Sequence, residues 1–338
     1  MDLNQIWFLL IGILLMGYAI LDGFDLGVGI LHLFSRGDLE RRTLMNSIGP
    51  VWDGNEVWLV TAGGALFAAF PHAYATSFSG LYLAFMLVLM ALIFRAVALE
   101  FRSKEPMRWW RSMWDAAFSA ASFLASLLFG VAVGNLILGI PVGADMEYQG
   151  GFFNLLHPYA LLVGVFNVSL FALHGSIYLY MKTEGELQQK IRGWIWKIFP
   201  VFATLFVIAT LATLVRVPTM MLNLKQFPFM WVIAALNVLA IANIPRALYL
   251  GLPFRAFVSS ACSIAALIAL FGMGIYPNLI VSSLDPAWNL TLYNAASSQK
   301  TLKIMLIIAI IGMPFVIAYT ASIYWIFRGK VKLDRFSY

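Results

Sequence analysis

The sequence predicts an all-α polytopic membrane protein, a single integral membrane domain over residues 1–338 with nine transmembrane helices. Three observations carry that reading. Of 338 residues 62% are hydrophobic and 11% charged, against roughly 25% charged in a soluble domain. The 27 Phe, 13 Tyr and 11 Trp, with a mean hydropathy of +0.85, are more apolar surface than a water-soluble body of this size could hide. Apolar runs of about 20 residues, the length that crosses a ~30 Å hydrocarbon core as a helix, recur along the whole chain. Lipid cannot satisfy backbone N–H and C=O groups, and the runs are too long for barrel strands, so helices are the required form.

The nine stretches run near 6–33, 50–72, 77–101, 114–139, 155–181, 194–215, 227–248, 254–276 and 301–327. The first is interrupted by Asp22 and Asp25, the second by Asp53 and Glu56, and the third by Arg95 and Glu100. The fourth carries Gly130-x-x-x-Gly134, and the first Gly23-x-x-x-Gly27. Such pairs let helices approach closely, and helix packing is their ordinary meaning. Connections are short, the longest being the outer segment from about Pro277 to Lys300, which leaves no room for a soluble domain. The acidic start Met1 to Gln5 leads into an apolar run too long for a signal-peptide core, so no cleaved segment is expected.

Composition also excludes function classes. One cysteine, Cys262, rules out an internal disulfide and any cysteine-clustered metal site. No phosphate-binding Gly-rich loop, catalytic triad or two-histidine zinc motif is present. The pI near 9.4 does not point to nucleic acid, because the basic residues mark a topology. Seventeen of the 22 Lys and Arg fall on one side: Arg36, Arg41 and Arg42; Arg102, Lys104, Arg108 and Arg111; Lys182, Lys190, Arg192 and Lys197; Arg246 and Arg255; Arg328, Lys330, Lys332 and Arg335. By the positive-inside rule the amino terminus is outside and the carboxyl terminus cytoplasmic.

Ionisable groups at bilayer depth cost at least ~2.5–3.5 kcal/mol each near a helix centre, so those inside the spans are the informative residues. They are Asp22, Asp25, Asp53, Glu56, Arg95 and Glu100. At ~1.5 Å per residue, Asp22 and Asp25 lie about 24 and 28 Å inward from the outer start of the first span, and all six fall in the cytoplasmic leaflet. Asp22/Asp25 and Asp53/Glu56 are each spaced i,i+3, which puts both carboxylates on one helical face. One reading is structural: Arg95 neutralises one or two carboxylates, and Asp53 caps a helix start with Ser47 and Asn46. The other is a proton path, the usual purpose of carboxylate chains inside membranes. Five carboxylates against one arginine leave several unneutralised unless some are protonated, as a relay requires. Among the histidines, His32 and His174 sit toward the inner side and His72 and His157 toward the outer; all four read as ordinary helix-end residues rather than haem ligands.

The residues also carry a longer pattern. Gly17-Tyr18-Ala19-Ile20-Leu21-Asp22-Gly23-Phe24-Asp25-Leu26-Gly27-Val28-Gly29 resembles the first-helix signature of subunit II of the cytochrome bd family of quinol oxidases. Arg41-Arg42, Asn46-Ser47-Ile48-Gly49-Pro50, Trp52-Asp53-Gly54-Asn55-Glu56-Val57-Trp58-Leu59 and Thr61-Ala62-Gly63-Gly64-Ala65-Leu66-Phe67-Ala68-Ala69 follow at matching distances. Phe94-Arg95 with Arg102-Ser103-Lys104, Trp114-Asp115, Gly134-Asn135-Leu136 and Ala295-Ala296-Ser297-Ser298-Gln299 extend the resemblance over the whole chain.

The resemblance implies two four-helix bundles plus one peripheral helix, and a subunit that binds no haem or metal and is not catalytic alone. Its implied partner is a haem-bearing subunit I, with haem b and usually haem d, in a heterodimer of a bacterial-type plasma membrane. The complex would reduce O2 to water with quinol electrons and would be electrogenic without pumping protons. A small accessory transmembrane subunit, and a structural quinone or lipid on this chain, are left open. The implied proton path runs through Asp25, Asp53 and Glu100, with Asp22 and Glu56 beside it and Arg95 and Lys104 as charge partners. Glu100 stands where some relatives have Asp, and Glu56 where they have Gln. The rivals from the residues alone are a secondary transporter or ion channel with a buried carboxylate site, and a purely structural membrane subunit.

Overall fold

Twelve helices make up most of the computed structural model, which describes residues 1–333, the side chains of 218–221 excepted. Arg335 of the basic tail lies outside the described residues. In chain order the helices are α1 (Leu3–Leu31), α2 (Gly37–Ile48), α3 (Trp52–Ala69), α4 (Pro71–Gly80), α5 (Tyr82–Phe101), α6 (Arg108–Leu138), α7 (Pro158–Lys182), α8 (Gly185–Arg216), α9 (Pro218–Gln226), α10 (Phe229–Tyr249), α11 (Pro253–Ile275) and α12 (Gln299–Ile326). Among the described residues eight of these are long and apolar enough to cross a membrane: α1, α5, α6, α7, α8, α10, α11 and α12.

The predicted second span is the difference. Its helix, α3, is only 18 residues long and carries Asp53, Asn55 and Glu56 in its first turns, so it is less apolar than the other eight. It stops at Phe70, whose backbone is non-helical, because Pro71 restricts the residue before it and starts α4. Residues 77–80, assigned from sequence to the third span, therefore belong to α4. The connection after the first span also folds, as α2, with Leu44, Met45 and Ile48 buried on one face. Helix α8 begins nine residues before the predicted start, since Lys, Arg and Gln continue a helix readily beyond its apolar part.

Helices α1, α3, α5 and α6 form one set and α7, α8, α10 and α11 the other; α12 lies apart, against α1 and α3. The sets meet along α7, which is buried on every face from Ser169 to Tyr180. Glycines allow that closeness. A Cβ on Gly27 of α1 would stand 1.9 Å from the Phe171 carbonyl oxygen and 2.9 Å from Gly175 Cα; one on Gly130 of α6 would stand 2.7 Å from Gly164 Cα. Both predicted small-residue motifs are thus packing seams on α7.

At the α1 N-terminal side a thin layer ties chain ends together. Strand β1 (Asn278–Ile280) pairs antiparallel with β2 (Leu290–Thr291). Asn4 Nδ2 donates to the Leu292 carbonyl at 2.7 Å, and Trp7 Nε1 to that of Leu302 at 2.9 Å. The opposite side carries α2 and the predicted basic connections.

Candidate functional site: a buried acid network on the central helix

Helix α1 packs against α3, α6, α7, α11 and α12, so the acids on its second half cannot reach solvent. Asp22 and Asp25 are both fully buried. They share a helical face but have different partners. Arg95 of α5, itself fully buried, grips Asp22 with two parallel bonds, Nη1 to Oδ2 at 2.8 Å and Nη2 to Oδ1. This forked geometry is the strongest carboxylate pairing available to a side chain, and it leaves the pair neutral.

Asp25 makes no ion pair among the described residues. Asn55 Nδ2 of α3 donates to Asp25 Oδ2 at 2.8 Å and to the Leu21 carbonyl at 3.2 Å. Tyr324 of α12 in turn donates its hydroxyl to Asn55 Oδ1 at 2.8 Å. Asp25 Oδ1 is buried without a hydrogen-bond partner among the described residues. A lone buried carboxylate held by one amide is costly as an anion and far less so as an acid.

The remaining predicted residues lie outward from this centre. Asp53 is exposed on α3 and Glu56, one turn on, is half-buried; neither makes a hydrogen bond to another described residue. Glu56 is within electrostatic reach of Arg95, Asp22 and Asp53. Glu100 is half-buried at the end of α5, and Lys104 is exposed just beyond it. Asp53 does not cap a helix start with Ser47 and Asn46. The α3 N-cap is Val51, Ser47 bonds the Leu44 carbonyl, and Asn46 bonds that of Arg42; both side chains turn back along α2.

A second buried polar cluster escaped the reading of the residues. Asp115 of α6, 1% exposed, has His32 Nε2 at 2.6 Å and accepts from Arg41 at 2.7 Å and from Arg102 Nε at 2.5 Å. Arg102 also reaches Asp38 at 2.9 Å, which Arg111 joins at 3.2 Å. The missed signal was the Asp in Trp114-Asp115, near the start of the fourth span and within reach of two basic connections. Asn55 was equally readable as an amide between two acids; Tyr324, 269 residues away, was not.

These features meet in known proteins. The sequence pattern of the cytochrome bd terminal oxidase subunit II family matches residues 3–327. The chain belongs to that family. It is 38% identical to "Cytochrome bd-I ubiquinol oxidase subunit 2" of Escherichia coli (strain K12), over 98% of this chain and 96% of the relative. It is 36% identical to "Probable cytochrome oxidase subunit 2" of Haemophilus influenzae and 35% to "Cytochrome bd ubiquinol oxidase subunit 2" of Bacillus subtilis. The fold matches a chain of the bd oxidase from Geobacillus thermodenitrificans with TM-score 0.80 at 19% identity, covering 97% of this chain and 98% of that one. A member of this family is a multi-pass membrane subunit of an oxidoreductase complex.

Cytochromes carry haem, and three of the four histidines here are engaged by other groups of this chain. His174 lies in the middle of α7, not at a helix end as its sequence position suggests. Its two ring nitrogens are engaged by Ser260 at 2.9 Å and the Ile20 carbonyl at 3.0 Å, and its ring is stacked on Phe257. His32 is held to Asp115 and packed edge-on against Phe118. His157 accepts from the Tyr159 amide at the start of α7, and His72 is exposed at the same side.

Proposed function

We propose that this chain is the haem-free subunit II of a bd-type quinol oxidase in a bacterial plasma membrane. It stabilises a haem-bearing subunit I and supplies part of the route by which protons reach the site of O2 reduction. On this reading the basic side is cytoplasmic and the amino terminus outside, as the distribution of Lys and Arg supports. The observation that carries the proposal is the polar edge of α3. Asp53 is exposed and Glu56 half-buried on a helix that otherwise belongs at membrane depth, where facing lipid would cost each charge several kcal/mol (roughly 2.5–3.5). A partner chain covering this edge removes that cost, and the covered acids then form a line from the basic side toward Asp25.

In this arrangement Asp53, Glu56 and Glu100 gather protons near the entrance, and Asp25 holds one at depth. The neutral Asp22–Arg95 pair fixes α1 against α5 beside Asp25. Lys104, exposed beside Glu100, belongs to the rim. The oxidation of quinol and the haems that carry electrons belong to the partner on this reading.

The test is made in the assembled complex. Asp25→Asn and Asp53→Asn are expected to lower oxygen consumption and proton uptake together while the haem spectrum of the complex stays normal. Unchanged uptake in both variants would leave a purely structural subunit. Solute movement in liposomes by this chain without a partner would favour the transporter reading.

A further inference from the structure

Through Asn55 and Tyr324, Asp25 is linked to a part of the molecule that the α3 edge does not include. On the basic side a cavity of about 520 Å³ lies between the end of α2, the end of α7, the end of α12 and the chain that follows it. Its wall includes Asn46, Ser47, Tyr178, Lys182, Tyr324 and Lys330. The chain after α12 folds back over it: the Val331 amide donates to the Lys182 carbonyl at 2.9 Å, Lys182 Nζ bonds the Phe327 carbonyl, and Lys330 Nζ bonds that of Thr183 at 2.7 Å. That volume holds many waters, each needing about 30 Å³.

Tyr324 belongs both to this cavity and to the acid network. Its side chain lines the cavity, while its hydroxyl donates to Asn55, which donates to Asp25 Oδ2. Both links are 2.8 Å long. Most other polar groups of the wall are already occupied. The Tyr178 hydroxyl bonds the Ser47 carbonyl, and Ser47 Oγ that of Leu44. Lys182, Lys330 and Lys332 also line it, a positive charge that disfavours metal cations but not water.

We propose that this cavity is a water-filled entrance from the basic side to Asp25, built by this chain alone, with Tyr324 the positioning residue at its inner end. The proposal rests on Asp25 being a proton carrier. A proton arriving on water converts the Asp25 carboxylate to the neutral acid, and its departure to the next acceptor restores the carboxylate. Tyr324 and Asn55 keep their own protons throughout. They hold Oδ2 from one side, so that Oδ1, which lacks a partner, is the oxygen available to the incoming proton.

The entrance is tested in the purified complex with Cys262→Ser, which removes the exposed native thiol, combined with Val331→Cys on the cavity wall. A bulky reagent that forms a reversible disulfide is added, its attachment checked by mass, and proton uptake followed with a pH dye before labelling, after labelling and after reduction. Labelling is expected to slow uptake several-fold and reduction to restore it, which a folding defect could not mimic. Tyr324→Phe is expected to slow uptake with a larger solvent isotope effect. If Asp25→Asn slows uptake while the label and Tyr324→Phe do not, the entrance is overturned and the α3 route stands. A cysteine that fails to react overturns it as well. If Asp25→Asn has no effect, the carrier reading falls and the entrance with it.

Discussion

Two buried polar clusters lie about two to three helical turns apart, one around Asp22 and Asp25 on α1 and one around Asp115 on α6, which His32 joins from just past the end of α1, and they are built on opposite principles. Around Asp115 the carboxylate is saturated: His32, Arg41 and Arg102 converge on it, and Asp38 and Arg111 extend the lattice to the surface. Around Asp25 a single amide faces the carboxylate and one oxygen has no partner among the described residues. Charges so fully paired are locked, because removing any member strands the others. A carboxylate left half-satisfied is the one whose protonation state can change at small structural cost. On the proposed reading the difference separates a clamp from a carrier.

The largest expected effect breaks the clamp. Asp115→Leu strands the buried Arg102 together with Arg41 and His32, and is expected to destabilise the subunit by about 3–5 kcal/mol. Thermal unfolding of the purified complex, or its yield, measures this. The Asp22–Arg95 pair should behave as the clamp does. Asp22→Leu or Arg95→Leu alone is expected to cost ~3 kcal/mol or more, and the double variant to regain most of the loss. Additive losses in that cycle would mean that the two side chains do not act as a pair.

Asp25→Asn sharpens the contrast from the other side. It keeps shape and polarity, so unfolding should shift by no more than about 1 kcal/mol, while proton uptake falls as proposed above. A stability loss as large as that of Asp115→Leu would place Asp25 among the clamps. The smallest effect is at the surface. Partial burial of Glu40 would raise its carboxyl, but the Lys190 ammonium at 2.6 Å and the Arg36 amide outweigh this and hold it below the usual carboxylate value. Its stabilisation is therefore complete at neutral pH and is lost as pH falls through and below the ordinary carboxylate range. The loss should be at most ~1 kcal/mol, absent from Glu40→Gln, and read as the difference in thermal midpoint between pH 7 and pH 3.

Much of the site was legible because charge inside an apolar run is conspicuous. Asp22, Asp25 and Arg95 needed no structure to be singled out, and their burial agrees with that reading. Their division of labour was not legible. The i,i+3 spacing of Asp22 and Asp25 makes them look equivalent, yet Arg95 on α5 reaches only the first and Asn55 on α3 only the second. His174 looked peripheral because its depth along the chain says nothing of the Ser260 and Ile20 groups that enclose it. Helix ends were blurred for a related reason: apolar windows end where polarity begins, whereas α8 continues through Lys190, Arg192 and Lys197.

The sequence by itself determined that the chain lives in a membrane, which face is basic and which helices carry charge inside the spans, since these follow from composition and one-dimensional position. Tertiary structure alone decided which acid keeps a counter-charge and which keeps an open oxygen. That choice depends on side chains far apart in the chain arriving at one point: Tyr324 meets Asn55 across 269 residues, and Asn55 meets Asp25 across 30. In a low-dielectric interior, distances of a few ångströms between such groups set their energies.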